Sequence, residues 1–107
     1  MTPKQEKGIL AALERARKKL PRSPRVVRLK HEFRLDSTGD EAIWIWIVYE
    51  DEDFDAGDPS MRRSEELLFR ALLAAAEKQG FPRGTFIPHI LVRTRSEQDE
   101  VDRFEVC

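Results

Sequence analysis

The hydrophobic pattern of the chain predicts two helices with clear ends. A helical repeat of apolar residues follows Thr2, which stands three residues before Gln5 as in a capping box, and the repeat ends at Pro21. A second repeat predicts a helix over residues 60–79. Gly80 follows it directly and suits the left-handed residue with which many helices end.

A hairpin is predicted between the two helices. Residues 27–35 alternate apolar with charged side chains, as a half-buried strand does, and residues 41–51 form a second strand after a short turn. A three-residue loop with Gly39 at positive φ joins them. We prefer the register that sets Phe33 opposite Ile43, because a shift by one residue would mismatch the hydrophobic rows.

The second strand is apolar on both of its faces. Successive side chains of a strand point to opposite sides, so the strand presents two apolar rows. One row consists of Ile43, Ile45, Ile47 and Tyr49. The other row consists of Trp44, Trp46 and Val48, and in the preferred register it shares its side of the sheet with Arg28, Lys30, Glu32 and Arg34. We call this second side of the sheet the Trp face.

Two interpretations of the Trp face follow from the size of the domain. A small two-layer domain covers one face of its sheet with helices, and tryptophan and arginine exposed together indicate contact with another molecule. We therefore expect an interaction surface made of Trp44, Trp46, Val48, Arg28, Lys30 and Arg34. The alternative is that the charged side chains of this face pack over the indoles, with cation–π contacts of about 0.5–1 kcal/mol each.

The complete pattern predicts an α+β fold. A third strand is expected over residues 86–92, and Pro88 indicates a sheet edge because proline lacks the N–H that a central strand needs. Residues 1–95 are expected to form one domain, and residues 96–107 a polar C-terminal tail or a short helix. The predicted fold is a two-layer sandwich of helix–strand–strand–helix–strand order. Its three-stranded mixed sheet has two helices on one face, and the strand of residues 41–51, here called the Trp strand, lies at the centre.

This element order is similar to that of type II KH-like RNA-binding domains. The resemblance is one of topology, and it implies a Gly-x-x-Gly loop that clamps nucleotides. The nearest glycines of this chain, Gly80 and Gly84, stand four apart and are interpreted as a helix end and a turn.

Length and composition indicate a single globular domain. The 107 residues suffice for one hydrophobic core, and 36% charged with 40% hydrophobic residues is typical of a globular chain. No apolar run approaches the ~20 residues of a membrane helix. Cys107 is the single cysteine, which excludes an internal disulfide, so we expect a reducing, cytoplasmic location and no membrane contact.

The net charge of −1 conceals a segregation of charge along the chain. Residues 1–34 carry eleven Lys and Arg against three Asp and Glu, whereas residues 35–66 carry two against eleven. Such halves either present separate surfaces to partners or face each other in the fold.

Candidate chemistry is sparse. Asp51, Asp53 and Asp55 alternate as at the start of a calcium loop, but Ala56 stands where the glycine belongs and Arg62 where the last Glu belongs. Carboxylates after a strand also resemble those of nucleotidyltransferases, whose Gly-Ser element is absent here. A solvated acidic loop is the expected structure.

The two histidines do not define a site. His31 falls on the inner row of its strand and is expected to be a core or rim residue, while the side on which His89 lies is undecided. A metal site would need further ligands, and Cys107 at the end of the chain is a weak candidate.

The sequence thus predicts a small non-enzymatic protein–protein interaction module that uses its aromatic sheet face to bind another protein or a second copy of itself. RNA or single-stranded nucleic-acid binding is the first alternative, since aromatic rings beside Arg and Lys suit base stacking and phosphate contacts. A metal-dependent phosphoryl-transfer enzyme is the second alternative and depends on the three aspartates alone. No catalytic residue, cofactor or metal ligand is predicted.

Overall fold

The computed structural model describes residues 1–105 and confirms the predicted α+β sandwich. Its elements are α1 (Pro3–Arg17), β1 (Val26–Leu35), β2 (Glu41–Tyr49), α2 (Pro59–Lys78), β3 (Pro88–Thr94) and α3 (Arg95–Glu105). The sheet has the order β1-β2-β3, with β1 antiparallel and β3 parallel to β2, so the Trp strand β2 is central as predicted. Among residues 1–105, no helix combines the length and the apolar character needed to span a membrane.

Three of the four ends of α1 and α2 follow the predicted signals, whereas α1 ends at Arg17 and does not continue to Pro21. Thr2 Oγ1 accepts a hydrogen bond from the backbone N–H of Gln5 at 3.1 Å, and Gln5 Oε1 accepts one from the N–H of Thr2 at 2.9 Å. α2 begins one residue before its predicted start, because the Asp58 carboxylate accepts the N–H of Ser60 and caps the helix. Gly80 after α2 has a φ of 90°, the left-handed conformation expected there.

The β1–β2 hairpin has the predicted register. Phe33 lies opposite Ile43 and Lys30 lies opposite Trp46. Gly39 has a φ of 86°, which the short loop requires and which glycine adopts without strain. The register therefore separates the two apolar rows of β2 onto opposite faces of the sheet.

The hydrophobic core lies between the sheet and the pair α1 and α2. The row of Ile43, Ile45, Ile47 and Tyr49 is completely buried there. The apolar stripes of the two helices meet this row with Ile9, Ala12, Leu13, Met61, Leu68 and Leu72. Each large apolar side chain stabilises the fold by roughly 1.5–3 kcal/mol on leaving water, so this face carries most of the packing energy.

The edge strand β3 begins later than predicted. It covers Pro88–Thr94 instead of residues 86–92, because proline suits the first residue of a strand, where its missing N–H costs no ladder bond. Phe86 turns into the core and contacts Phe81, with 5.0 Å between ring centroids, whereas Ile87 is 44% exposed. The predicted edge position of β3 is confirmed.

The C-terminal stretch forms a helix, α3, on the side of the sheet opposite α1 and α2. Thr94 Oγ1 accepts the N–H of Glu97 at 3.2 Å, and Glu97 Oε1 accepts the N–H of Thr94 at 3.1 Å. This second capping box fixes the start of α3 directly at the end of β3. Residues 106–107, and with them Cys107, lie outside the described residues.

Candidate interaction surface

The helix α3 covers one end of the Trp face. Trp46 is 8% exposed and Val48 is 2% exposed, so both are as buried as core residues. Trp44, at the other end of the row, is only half-buried. The face is thus divided into a covered end and an uncovered end.

A buried glutamine connects α3 to the covered end. Gln98 is 2% exposed, its Oε1 accepts a hydrogen bond from Arg93 Nη1 at 3.0 Å, and its Nε2 donates to Asp102 Oδ1 at 2.8 Å. A buried amide is tolerated where its donor and acceptor both find partners, which is the case here. Gln98 therefore links the strand β3 to the next turn of α3.

The carboxylate of Asp102 neutralises two cations of the predicted surface. Its Oδ2 lies 3.3 Å from Arg28 Nη1, and its Oδ1 lies 3.6 Å from Lys30 Nζ. The hydrogen bond from Gln98, together with these two cations, holds the pKa of Asp102 below its ordinary value of 3.8. Arg28 and Lys30 thus serve the contact with α3.

Cation–π contacts occur on both tryptophans, but only the one on Trp44 comes from the charged residues of β1 for which this packing was predicted. The guanidinium carbon of Arg34 lies 4.1 Å from the Trp44 ring centroid, and that of Arg93 lies 4.8 Å from the Trp46 centroid. His89, whose side was undecided, lies on the Trp face and stacks on Trp44 at 4.3 Å with 14° between the ring planes. Trp44 is thus contacted from the β1 side and from the β3 side.

The acidic loop before α2 holds the start of α3. The Asp51 carboxylate accepts hydrogen bonds from the backbone N–H of Ser96 at 3.0 Å and from its hydroxyl. These bonds lower the pKa of Asp51 below the ordinary 3.8. Glu50 Oε1 accepts a bond from Arg95 Nη1 at 3.0 Å. The loop therefore fastens α3 to the end of β2.

The remaining aspartates of this loop have separate tasks. Asp53 accepts the backbone N–H of Arg25 at 3.3 Å, and Asp55 accepts that of Gly57 at 3.0 Å. Within residues 1–105, no three His, Cys, Asp or Glu side chains lie together as a metal site would need. Each carboxylate satisfies local backbone or helix contacts.

Tyr49 and His31, two residues on the core side of the sheet, show no chemical role. Tyr49 is completely enclosed by the core, and this burial raises the pKa of its hydroxyl above the ordinary 10.0. His31 lies on the inner row of β1 but is exposed, which makes it a rim residue of the α1 side.

One group of exposed apolar residues lies at the free edge of β3. Leu91, which lies opposite Trp46 in the sheet, is 42% exposed, Ile87 is 44% exposed before the strand, and Phe69 of α2 is 36% exposed. We call these three residues the β3 margin. A groove of about 420 Å³ between α2 and β3 is lined by two of them, Phe69 and Leu91. The margin was missed from the sequence, although the absence of charge from Phe86 to Val92 is a signal for it.

The six predicted surface residues thus separate into two groups. Trp46, Val48, Arg28 and Lys30 belong to the contact with α3, whereas Trp44 and Arg34 remain at the uncovered end next to the β3 margin. Comparison of the chain with protein-family models, with curated proteins and with solved structures found no match.

Proposed function

We propose that this protein is a small non-enzymatic protein–protein interaction module, and that it binds its partner through the β3 margin and the adjoining Trp44. The observation that carries the proposal is the exposure of Leu91 and Phe69 at one groove, with Ile87 exposed just before the same strand. Exposed apolar residues are normal when scattered, but a contiguous group next to a tryptophan is typical of a contact surface.

The uncovered tryptophan is prepared for such a contact. Stacking on His89 and the guanidinium of Arg34 hold the Trp44 ring in one orientation, so little side-chain freedom remains to be lost on binding. Tryptophan and arginine in such positions are frequent among residues that dominate binding energy.

Nucleic-acid binding is the weaker alternative. Asp102 neutralises Arg28 and Lys30, and the Trp46 ring lies beneath α3, so the basic and aromatic groups of the Trp face are largely occupied. The local tasks of Asp51 and its neighbours also favour a non-enzymatic protein over phosphoryl transfer. A cytoplasmic location belongs to the same proposal, on the ground of a single cysteine.

The proposal is tested by substitution at the margin. Leu91→Lys places a charge at its centre, and Leu35→Lys at the 63% exposed edge of β1 is a matched control. Cross-linking and affinity capture should give a specific protein complex, with a second copy or another protein, for wild type and Leu35→Lys but not for Leu91→Lys. Equal complexes for all three proteins would refute the proposed surface.

A nucleic-acid titration is the second arm of the test. Fluorescent single-stranded RNA is titrated at several salt concentrations while tryptophan emission is followed. We expect weak binding that disappears near physiological salt and leaves the emission unchanged, since only phosphate contacts are screened by salt. Tight, salt-resistant binding with quenching of Trp44 would instead establish base stacking and the nucleic-acid function.

A further inference from the structure

We infer that the partner at the β3 margin is a second copy of this chain, paired antiparallel along the free edge of β3 to form a continuous six-stranded sheet. This inference depends on the proposed function, because it uses the same surface and names its occupant. Two-fold dimers are the commonest oligomers, and such an interface must be complementary to itself. Both β3 and the neighbouring helix α2 have residue patterns that are complementary to themselves.

The two edge strands of the sheet, β1 and β3, differ in the features that prevent pairing with another chain. β1 carries a charged residue at every second position from Arg28 to Arg34, and its pairing is irregular between Val26 and Arg28. Charged side chains, prolines and bulges are the usual devices that prevent an edge strand from pairing with another chain, and β3 has one of them, Pro88, at its first residue. β3 has no charged residue from Pro88 to Val92, and among the described residues it pairs with β2 alone.

The residue pattern of β3 is compatible with pairing to itself. In an antiparallel pair, residues directly opposite each other lie on the same face of the sheet. When the two strands are identical and related by a two-fold axis perpendicular to the sheet, the axis passes between one residue and the same residue of the second copy. With the axis at Ile90, His89 lies opposite Leu91 of the second copy on the Trp face. On the helix face, Pro88 lies opposite Val92 of the second copy. Apolar side chains would thus meet on the helix face, and an imidazole ring would meet a leucine on the Trp face.

The charges on α2 complement each other about the same axis. Phe69 and Glu66 line the groove, and Arg70 is exposed one turn after Glu66. Neither Glu66 nor Arg70 makes an ion pair within the part of the chain that the structure describes. Antiparallel helices related by a two-fold axis place Glu66 near Arg70 of the second copy, and this contact occurs twice.

The first test measures self-association by sedimentation over a wide range of protein concentration. The full chain should show a reversible monomer–dimer equilibrium, which Leu91→Lys weakens at least about tenfold. Leu35→Lys on the β1 edge should leave it unchanged. Circular dichroism confirms that both variants are folded, since both positions are exposed. A monomer at every concentration would overturn the inference.

The second test uses charge reversal on α2. Glu66→Arg and Arg70→Glu should each weaken the homodimer, because like charges then meet at both contacts. An equimolar mixture of the two variants should associate again, since one variant then carries two cations on this face and the other two anions, so that opposite charges meet at both contacts. No recovery in the mixture, or no loss in the single variants, would refute the two-fold arrangement.

The failure of this inference is distinguishable from that of the proposed function. A chain that remains monomeric but captures a different protein, in a manner abolished by Leu91→Lys, refutes the second copy and retains the interaction surface. A dimer that Leu91→Lys leaves intact refutes both, because the contact then lies elsewhere on the molecule.

Discussion

The two faces of the sheet reach the same degree of burial by different means. On the α1–α2 side, Ile43, Ile45 and Ile47 are fully buried within a cluster of apolar side chains. On the Trp face, Trp46 is nearly as buried, but its cover is α3, whose most buried residue is the hydrogen-bonded Gln98, followed by the half-buried Val101 and Asp102. A small domain can thus cover its second face with hydrogen-bonded polar groups. We expect the packing of α3 to stabilise the fold less than the α1–α2 side does, to open locally, and to depend on pH.

The comparison predicts its largest effect on the apolar side. Ile45→Ala removes buried methyl groups from a rigidly packed row, so we expect it to lower the free energy of unfolding by about 2–5 kcal/mol. Denaturant unfolding followed by circular dichroism measures this loss. Leu35→Ala, at a 63% exposed position, is the control and should change stability by less than about 0.5 kcal/mol.

A smaller effect is expected when the tryptophan under α3 is truncated. Trp46→Ser should cost about 1.5–3 kcal/mol, the value of burying one large side chain, since a helix held at a few points can move inward and close the gap. Trp44→Ser should cost less, because Trp44 is only half-buried. Circular dichroism melts in denaturant give both values. Equal losses at the two positions would mean that the Trp face is covered uniformly.

Most of the fold, but not the cover of the Trp face, was predictable from the sequence. The hairpin register followed from alternation, because only one register matched Phe33 with Ile43. For the C-terminal residues the sequence predicts either a tail or a helix, because the contacts of α3 use Gln98 and Asp102, which a hydrophobic pattern does not detect. Its one clear signal was the Thr94–Glu97 spacing of a capping box.

The exposure of the β3 margin was not predictable for a related reason. Leu91 lies opposite the covered Trp46 but is still 42% exposed, so the cover by α3 does not extend to the β3 edge of the face. Pattern rules assign a residue to a face of the sheet, but they do not say which part of that face a polar helix will cover. The interaction surface therefore had to be located from the structure.

Removal of a polar contact of α3 should have a modest effect on the free energy of unfolding. Gln98→Ala removes the link between Arg93 and Asp102, and the loss of such a buried hydrogen-bonding group costs about 1–3 kcal/mol, here toward the lower end because both partners reach water. Asp99→Ala on the exposed side of α3 is the matched control. Amide hydrogen exchange should quicken in α3 and remain slow in β2. Equal acceleration in both elements would contradict a locally held cover.

The smallest effect concerns acid. The pKa of Asp102 is lowered by the hydrogen bond from Gln98 and by Arg28 and Lys30, and that of Asp51 by the hydrogen bonds from Ser96. A carboxylate with a lowered pKa in the folded state stabilises that state fully above its ordinary value of 3.8, and this contribution disappears as the pH falls through the lowered value. The exchange protection of α3 should therefore decline below about pH 3.8 before that of the apolar core does. In Asp102→Asn, the α3 protection should be lower at neutral pH and should fall less steeply in acid. A wild-type profile in which α3 and β2 lose protection together would mean that acid unfolds the whole domain, and that the two covers of the sheet do not differ in their response to pH.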